Sequence, residues 1–295
     1  MKRTKLVIVL ALAISLAGSA SAHSPEGWLG FAWQWPAGAE PVVDGDGSEF
    51  AVIPAEWWQT TEMFPDTQGG IDINRADFDA KAVITYSRAT NFIYSYSEVF
   101  DDISTAGDTW QFTVDVDHVG DDVGLRFPDG TSDEDKERLR GSRAQQYEIW
   151  NTAGDSDVIG PTETLFFWGK ASWLPEQGWY QAEHTFEGTY GGEGTTYLEV
   201  LFGSYVNLDQ EDPSAAEWYD LDEGLIIGLG YNWMDVEDPA QSANSPWESF
   251  YNLTQNNEMF FNGAAVSDFL LAEVDPGFTA VEATTWGRVK SQFAE

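Results

Sequence analysis

Two patterns of residues in this sequence could do chemistry. The first is acids spaced to converge on a cation. Asp115 and Asp117 lie two apart in an alternating stretch, so both carboxylates leave one face of a strand, and Asp122 follows across Gly120. Asp44, Asp46, Asp101 and Asp102 form a second set wherever the ends of their strands meet. Calcium takes about six to eight oxygen ligands, so clustered carboxylates are the donor set that suits it. The same acids also serve as solvated turns, and that reading stays open beside the calcium one. The second pattern is tryptophan. Trp168, Trp173, Trp179, Trp218, Trp233 and Trp247 fall in or beside loops of the second half. An indole held on a loop is a binding surface, whereas one facing the core is packing. Trp110 shares a face with Phe112 and Val114, which marks it as core.

The elements that must position these residues begin after an export signal. Lys2, Arg3 and Lys5 precede an apolar run, Leu6 to Leu16, broken only by Ser15, and Ala20-Ser21-Ala22 supplies small residues for cleavage. The run is too short for a lasting membrane span. Residues 1–22 are therefore expected to be removed, which places the protein in the periplasm or outside the cell. The chain has no cysteine, which excludes disulfides, thiol catalysis and lipid attachment at the cleavage site.

Charge narrows the partners. The 50 acids against 14 basic residues give a net charge of −36, and losing the signal takes away three more basic residues. Such a field repels nucleic acid and anionic headgroups and favours cations. Most of the acids must belong to a solvated surface. With 14 Trp and 15% aromatic residues the chain is not a disordered acidic tail.

Period-two alternation recurs along the chain. It predicts strands over 82–87, 91–100, 110–117, 146–150, 164–168, 179–186, 196–202 and 225–231, separated by Gly, Asp, Asn and Pro. In 110–117, Trp110, Phe112, Val114 and Val116 point one way and Gln111, Thr113, Asp115 and Asp117 the other. Many strands with almost no crossover helices predict an all-β, antiparallel sandwich over 23–278. A short polar helix capped by Ser132, with Asp135 three residues on, is expected through Arg140. Trp286, Val289 and Phe293 predict an amphipathic helix over 279–295. Lys136, Arg138, Arg140 and Arg143 form a basic cluster of unassigned role.

Several blocks occur in an order that resembles the family nine carbohydrate-binding modules and their wider DOMON-like superfamily. They are Pro41-Val-Val-Asp44-Gly-Asp46-Gly-Ser-Glu-Phe50, the aromatic strand ending Val99-Phe100-Asp101-Asp102, Gly107-Asp108-Thr109-Trp110-Gln111-Phe112, Tyr197-Leu-Glu199-Val-Leu-Phe202, and Glu223-Gly224 to Gly228 with an acidic end over Asp235 to Asp238. The resemblance spans about residues 40–240. It implies a jelly-roll sandwich with structural calcium and, in sugar-binding members, an aromatic clamp. Gln111 stands where the family usually has Glu, and the stretch 121–143 is longer than in the family.

The expected function is non-catalytic carbohydrate or polysaccharide binding on a calcium-stabilised sandwich, with Trp168, Trp173, Trp179, Trp218 and Trp247 contacting ligand. The alternative is a structural or surface-associated sandwich without sugar affinity. Enzyme readings are weaker. His23, the first residue after cleavage, could chelate copper with His118 or His184. Met63, Met234 or Met259 with a histidine could hold haem. A carboxylate pair could hydrolyse glycosides, but no pair stands out among so many acids.

Overall fold

The computed structural model describes residues 24–67, 74–105, 107–119, 130–132, 135, 141–150, 171, 173–189, 191–237, 249–260 and 262–274. Among them the regular structure is β-strand and short 3-10 turns. The strands are β1 (Leu29–Gln34), β2 (Gln59–Thr60), β3 (Phe78–Ser87), β4 (Phe92–Asp101), β5 (Thr109–Asp115), β6 (Gln145–Trp150), β7 (Tyr180–Gly188), β8 (Gly194–Gly203), β9 (Tyr205–Asn207), β10 (Glu217–Trp218), β11 (Ile226–Asp235), β12 (Ser249–Asn252) and β13 (Ser267–Leu271). No helix among the described residues is long and apolar enough to cross a membrane.

Neighbouring strands run in the order β6-β5-β11-β13-β1-β3-β4-β8-β7, with β12 added on β11 and β2 on β3. β1 turns this path from one layer into the other. Its first half, Leu29–Ala32, pairs with β13, and its end, Trp33–Gln34, pairs with β3. Both pairings are parallel, while the other ladders are antiparallel. The two ends of the path then meet. Tyr147 of β6 stacks on Tyr180 of β7 with ring centroids 5.4 Å apart, and Phe112 of β5 lies 5.6 Å from Phe202 of β8. The result is a sandwich that closes toward a barrel.

Alternation decides what each face buries. Phe78, Ala80, Ala82, Ile84 and Tyr86 of β3 point inward, as do Leu198, Val200 and Phe202 of β8 and Trp110, Phe112 and Val114 of β5. The opposite face of β3-β4-β8 carries Val83, Tyr94, Tyr96 and Leu201, and these join Trp33, Trp35, Phe50 and Ile53 in a second cluster. A covering segment after β1 makes that second layer. Phe50 stacks on Tyr96 at 5.1 Å, and Trp35 Nε1 donates to Thr85 Oγ1 at 2.7 Å.

The predicted strands fall on β3, β4, β5, β6, β7, β8 and β11, while β1 and β13 were not anticipated. The expected strand over 164–168 and the C-terminal helix over 279–295 lie outside the described residues. So does most of the polar helix, although its cap is seen: Asp135 N donates to Ser132 Oγ at 3.0 Å.

Candidate functional site

Three local arrangements bear on function. The first joins two of the sequence blocks. Glu199 sits mid-strand in β8, nearly inaccessible at 1% exposure, and its carboxylate faces the Asp44–Gly47 loop. Asp44 N and Gly45 N donate to Oε2 at 2.7 and 2.6 Å, and Gly47 N donates to Oε1 at 3.1 Å. Three amides converging on one carboxylate make a small anion nest. Thr185 Oγ1 of β7 holds the same loop by donating to Gly45 O at 2.9 Å. Gly47 has φ 62°, and a Cβ there would overlap the Tyr96 ring, so glycine is required. Burial, helped by Glu49 and Asp44, pushes Glu199 up to about 7 against the pull of the Asp44 and Gly45 amides.

The second arrangement is a group of buried carboxylates where the chain crosses between layers. Asp101 ends β4, Asp108 precedes β5, and Asp235 ends β11 beside the start of β5. Carboxylate oxygens of the three lie within 4.8 Å of one another, and all three residues are buried. Asp108 accepts from Thr105 N at 2.6 Å and Val236 N at 3.1 Å, and Asp101 Oδ1 accepts from Ile103 N at 2.9 Å. Asp101 Oδ2 and Asp235 Oδ1 are buried without a hydrogen-bond partner. Burial first, then the neighbouring acids, pushes Asp235 up to about 9 and raises Asp108 well above the usual range. Asp101 is pushed up to about 6, chiefly by burial. Asp77, Asp102 and Glu237 form an outer group of the same kind, less buried. Orphaned oxygens in a set of hard donors fit a divalent cation such as calcium.

Of the expected metal residues, Asp101 and Asp102 therefore fall in carboxylate groups, one in each. Asp44 and Asp46 do not join them. Their loop lies against Glu199, which pairs with Tyr96, and Tyr96 is five residues, or about 16 Å of strand, from Asp101. Asp115 and Asp117 belong to no such group among the described residues, and Asp122 lies outside them. Asp108, Asp235, Asp77 and Glu237 complete these two carboxylate groups and are not among the expected metal residues. Their signal was position at strand ends, which only the topology turns into proximity.

The third arrangement is aromatic. Trp173 and Trp179 come from the segment before β7 and Trp218 from β10, and all three are partly buried at one corner of the inner core. Trp179 meets Trp173 at 5.5 Å and Trp218 at 4.9 Å, both edge to face. Tyr205 underlies Trp218 at 4.5 Å, and Phe92 flanks it at 5.9 Å. Trp173 Nε1 donates to Gln210 O at 3.0 Å. Indoles this close leave no slot for a sugar ring between them, because a sandwiched ring needs van der Waals spacing on both sides. A ring could lie only against the outside of this cluster, not between its indoles. Trp233 is not a loop residue: it sits on the inner face of β11 at 1% exposure. Trp168 and Trp247 lie outside the described residues.

No family model and no curated protein matches the sequence. The structural neighbours are family 9 carbohydrate-binding modules. Two solved structures of such a module from Caldicellulosiruptor kristjanssonii, one in complex with cellotriose and one with glucose, match with a TM-score of 0.45 and 10% identity. They cover 85% of this chain and 98% and 100% of their own.

The copper alternative turns on His23. His118 Nε2 lies 2.9 Å from Asp268 Oδ1, His184 is on β7, and His23 lies outside the described residues.

Proposed function

We propose that this chain is an exported, non-catalytic carbohydrate-binding protein whose sandwich is stabilised by calcium. The observation that carries the sugar reading is the convergence of Trp173, Trp179 and Trp218, from two separate segments, at one partly exposed corner. Indole faces suit the C–H faces of sugar rings, and rigid aromatics lose little entropy on binding. The buried triad Asp101, Asp108 and Asp235 would hold the calcium, which would neutralise carboxylates that otherwise repel one another in a dry site. The non-catalytic part rests on the same burial. Asp101, Asp108 and Asp235 are buried, which keeps these three acids from a glycosidic bond.

One observation favours the structural reading instead. The three indoles are packed against each other and the core, as a purely stabilising corner would be. Affinity electrophoresis and titration calorimetry with cellotriose, glucose and soluble glucans separate the two. Binding that weakens in Trp218→Ala supports the lectin reading. A folded protein that binds no saccharide, with or without calcium, leaves only the structural one.

A further inference from the structure

The outer face of β3-β4-β8 is covered along only part of its length. Register lays the side chains out in cross-strand rows. Thr85, Tyr94 and Leu201 form one row, and Val83, Tyr96 and Glu199 the next. Trp35, Phe50, Trp58 and the Asp44–Gly47 loop lie on these two rows. The following rows are Thr60, Lys81, Glu98 and Tyr197, then Asp79, Phe100 and Thr195. Here the cover stops, and a cleft of about 380 Å³ opens, lined by these residues and Arg75. That is within the size of small-ligand pockets.

The chemistry of the cleft is specific. Lys81 Nζ pairs with Glu98 at 2.8 Å and lies 4.9 Å from the centroid of the Trp58 ring. Arg75 pairs with Asp79 at 3.0 Å and with Glu62. Both pairs are exposed and add little stability of their own. Each pair presents spare N–H donors beside spare carboxylate acceptors, which is the complement of a hydroxyl, itself both donor and acceptor. Phe100 and Tyr197, diagonal neighbours across β4 and β8, supply partly exposed rings beside them. Two carboxylates balance two cations among the lining residues, so an anion finds no net positive charge there, in a chain of net charge −36.

We propose that this cleft is a second carbohydrate site, separate from the tryptophan corner, and that it takes an uncharged pyranose in preference to a uronate. The inference rests on the carbohydrate-binding reading but not on the aromatic corner. The pyranose lies against Tyr197 and Phe100 while its hydroxyls bridge the Lys81–Glu98 and Arg75–Asp79 pairs.

The test is calorimetry and affinity electrophoresis of the full chain against cellotriose, soluble β-glucan and polygalacturonate, with thermal midpoints recorded for each variant. Tyr197→Ala is expected to weaken binding of the neutral glucan about tenfold, the loss of one aromatic stack. Tyr197→Phe keeps the ring and is expected to retain binding, and Lys81→Ala is expected to weaken it. Neutral-glucan binding unchanged in both Tyr197→Ala and Lys81→Ala, yet lost in Trp218→Ala, overturns the cleft and leaves the corner standing. Polygalacturonate bound more tightly than glucan, and released by Lys81→Ala, overturns the preference for an uncharged sugar. A wild-type chain that binds no saccharide overturns both sites.

Discussion

Glu199 of β8 accepts the amide of Gly47 at 3.1 Å, from a loop more than 150 residues earlier in the chain. With Asp44 N and Gly45 N on its other oxygen, this carboxylate fixes the edge of the segment that covers the outer face of the sheet. In Glu199→Gln one nitrogen must point at an amide donor. The variant should lose about 1–3 kcal/mol, the cost of leaving buried donors unpaired, measured by urea unfolding at pH 7.

The same carboxyl predicts a pH dependence. Its folded value of about 7 lies above its ordinary value of 4.5, so the native state holds the proton more tightly than the unfolded chain. This group's contribution is most favourable below pH 4.5 and declines as pH rises through 7, by at most about 1.4 kcal/mol per pH unit. Subtracting the pH profile of Glu199→Gln from that of the wild type should isolate that slope. A flat difference between pH 4.5 and 7 would show that Glu199 ionises as it does in water.

Gly47→Ala forces a Cβ into Tyr96 at a backbone angle that alanine avoids. The expected cost is about 2–4 kcal/mol. Gly38, also at positive φ but with open space around it, is the control, and Gly38→Ala should cost about 1 kcal/mol. Denaturation midpoints of the two variants decide the matter.

Calcium at a hundredfold excess over its Kd should stabilise the chelator-treated protein by about 2.7 kcal/mol. In a chain of this size that raises Tm by about 5–10 °C. Asp235→Asn should abolish the calcium response and, without calcium, unfold at a higher temperature than wild type, because a buried acid is gone. Scanning calorimetry with and without chelator reads both effects. An unchanged calcium response in Asp235→Asn would exclude the triad as the site.

Trp218 touches Trp179, Tyr205 and Phe92. Trp218→Ala should therefore cost about 2 kcal/mol of stability, less than a fully buried indole would. On the proposed function it also lowers saccharide affinity about tenfold, read by calorimetry at a temperature where the variant is folded.

Much of this architecture was legible because alternation is a local property. Trp110, Phe112 and Val114 announce the inner face of β5 before any partner strand is known. Partnership is not local. β13 is five residues long and β1 carries Gly30, so neither stretch shows a sustained alternation, yet both lie mid-path. Asp101 was recognisable as the acid ending an aromatic strand. Its grouping with Asp108 and Asp235 depends on β11 lying beside β5, which no spacing in the chain reveals. Conversely, the Asp44–Gly47 block and the Glu199 strand were each read as parts of one resemblance, and the hydrogen bonds between them give a physical reason for their occurring together. For the tryptophans the sequence offers only their proximity to loops. That criterion cannot tell Trp218, at a corner, from Trp233, sealed in β11.

β1 belongs to both layers, and its partner on one side, β13, is synthesised about 240 residues later. A growing chain therefore carries an unmatched ribbon until nearly the whole sequence has emerged, and the two halves cannot be joined earlier. Cutting the chain before Ser267 would leave that ribbon with one bare edge and a gap between β11 and β1. Such a truncated product invites self-association through the open edge in place of a stable smaller domain.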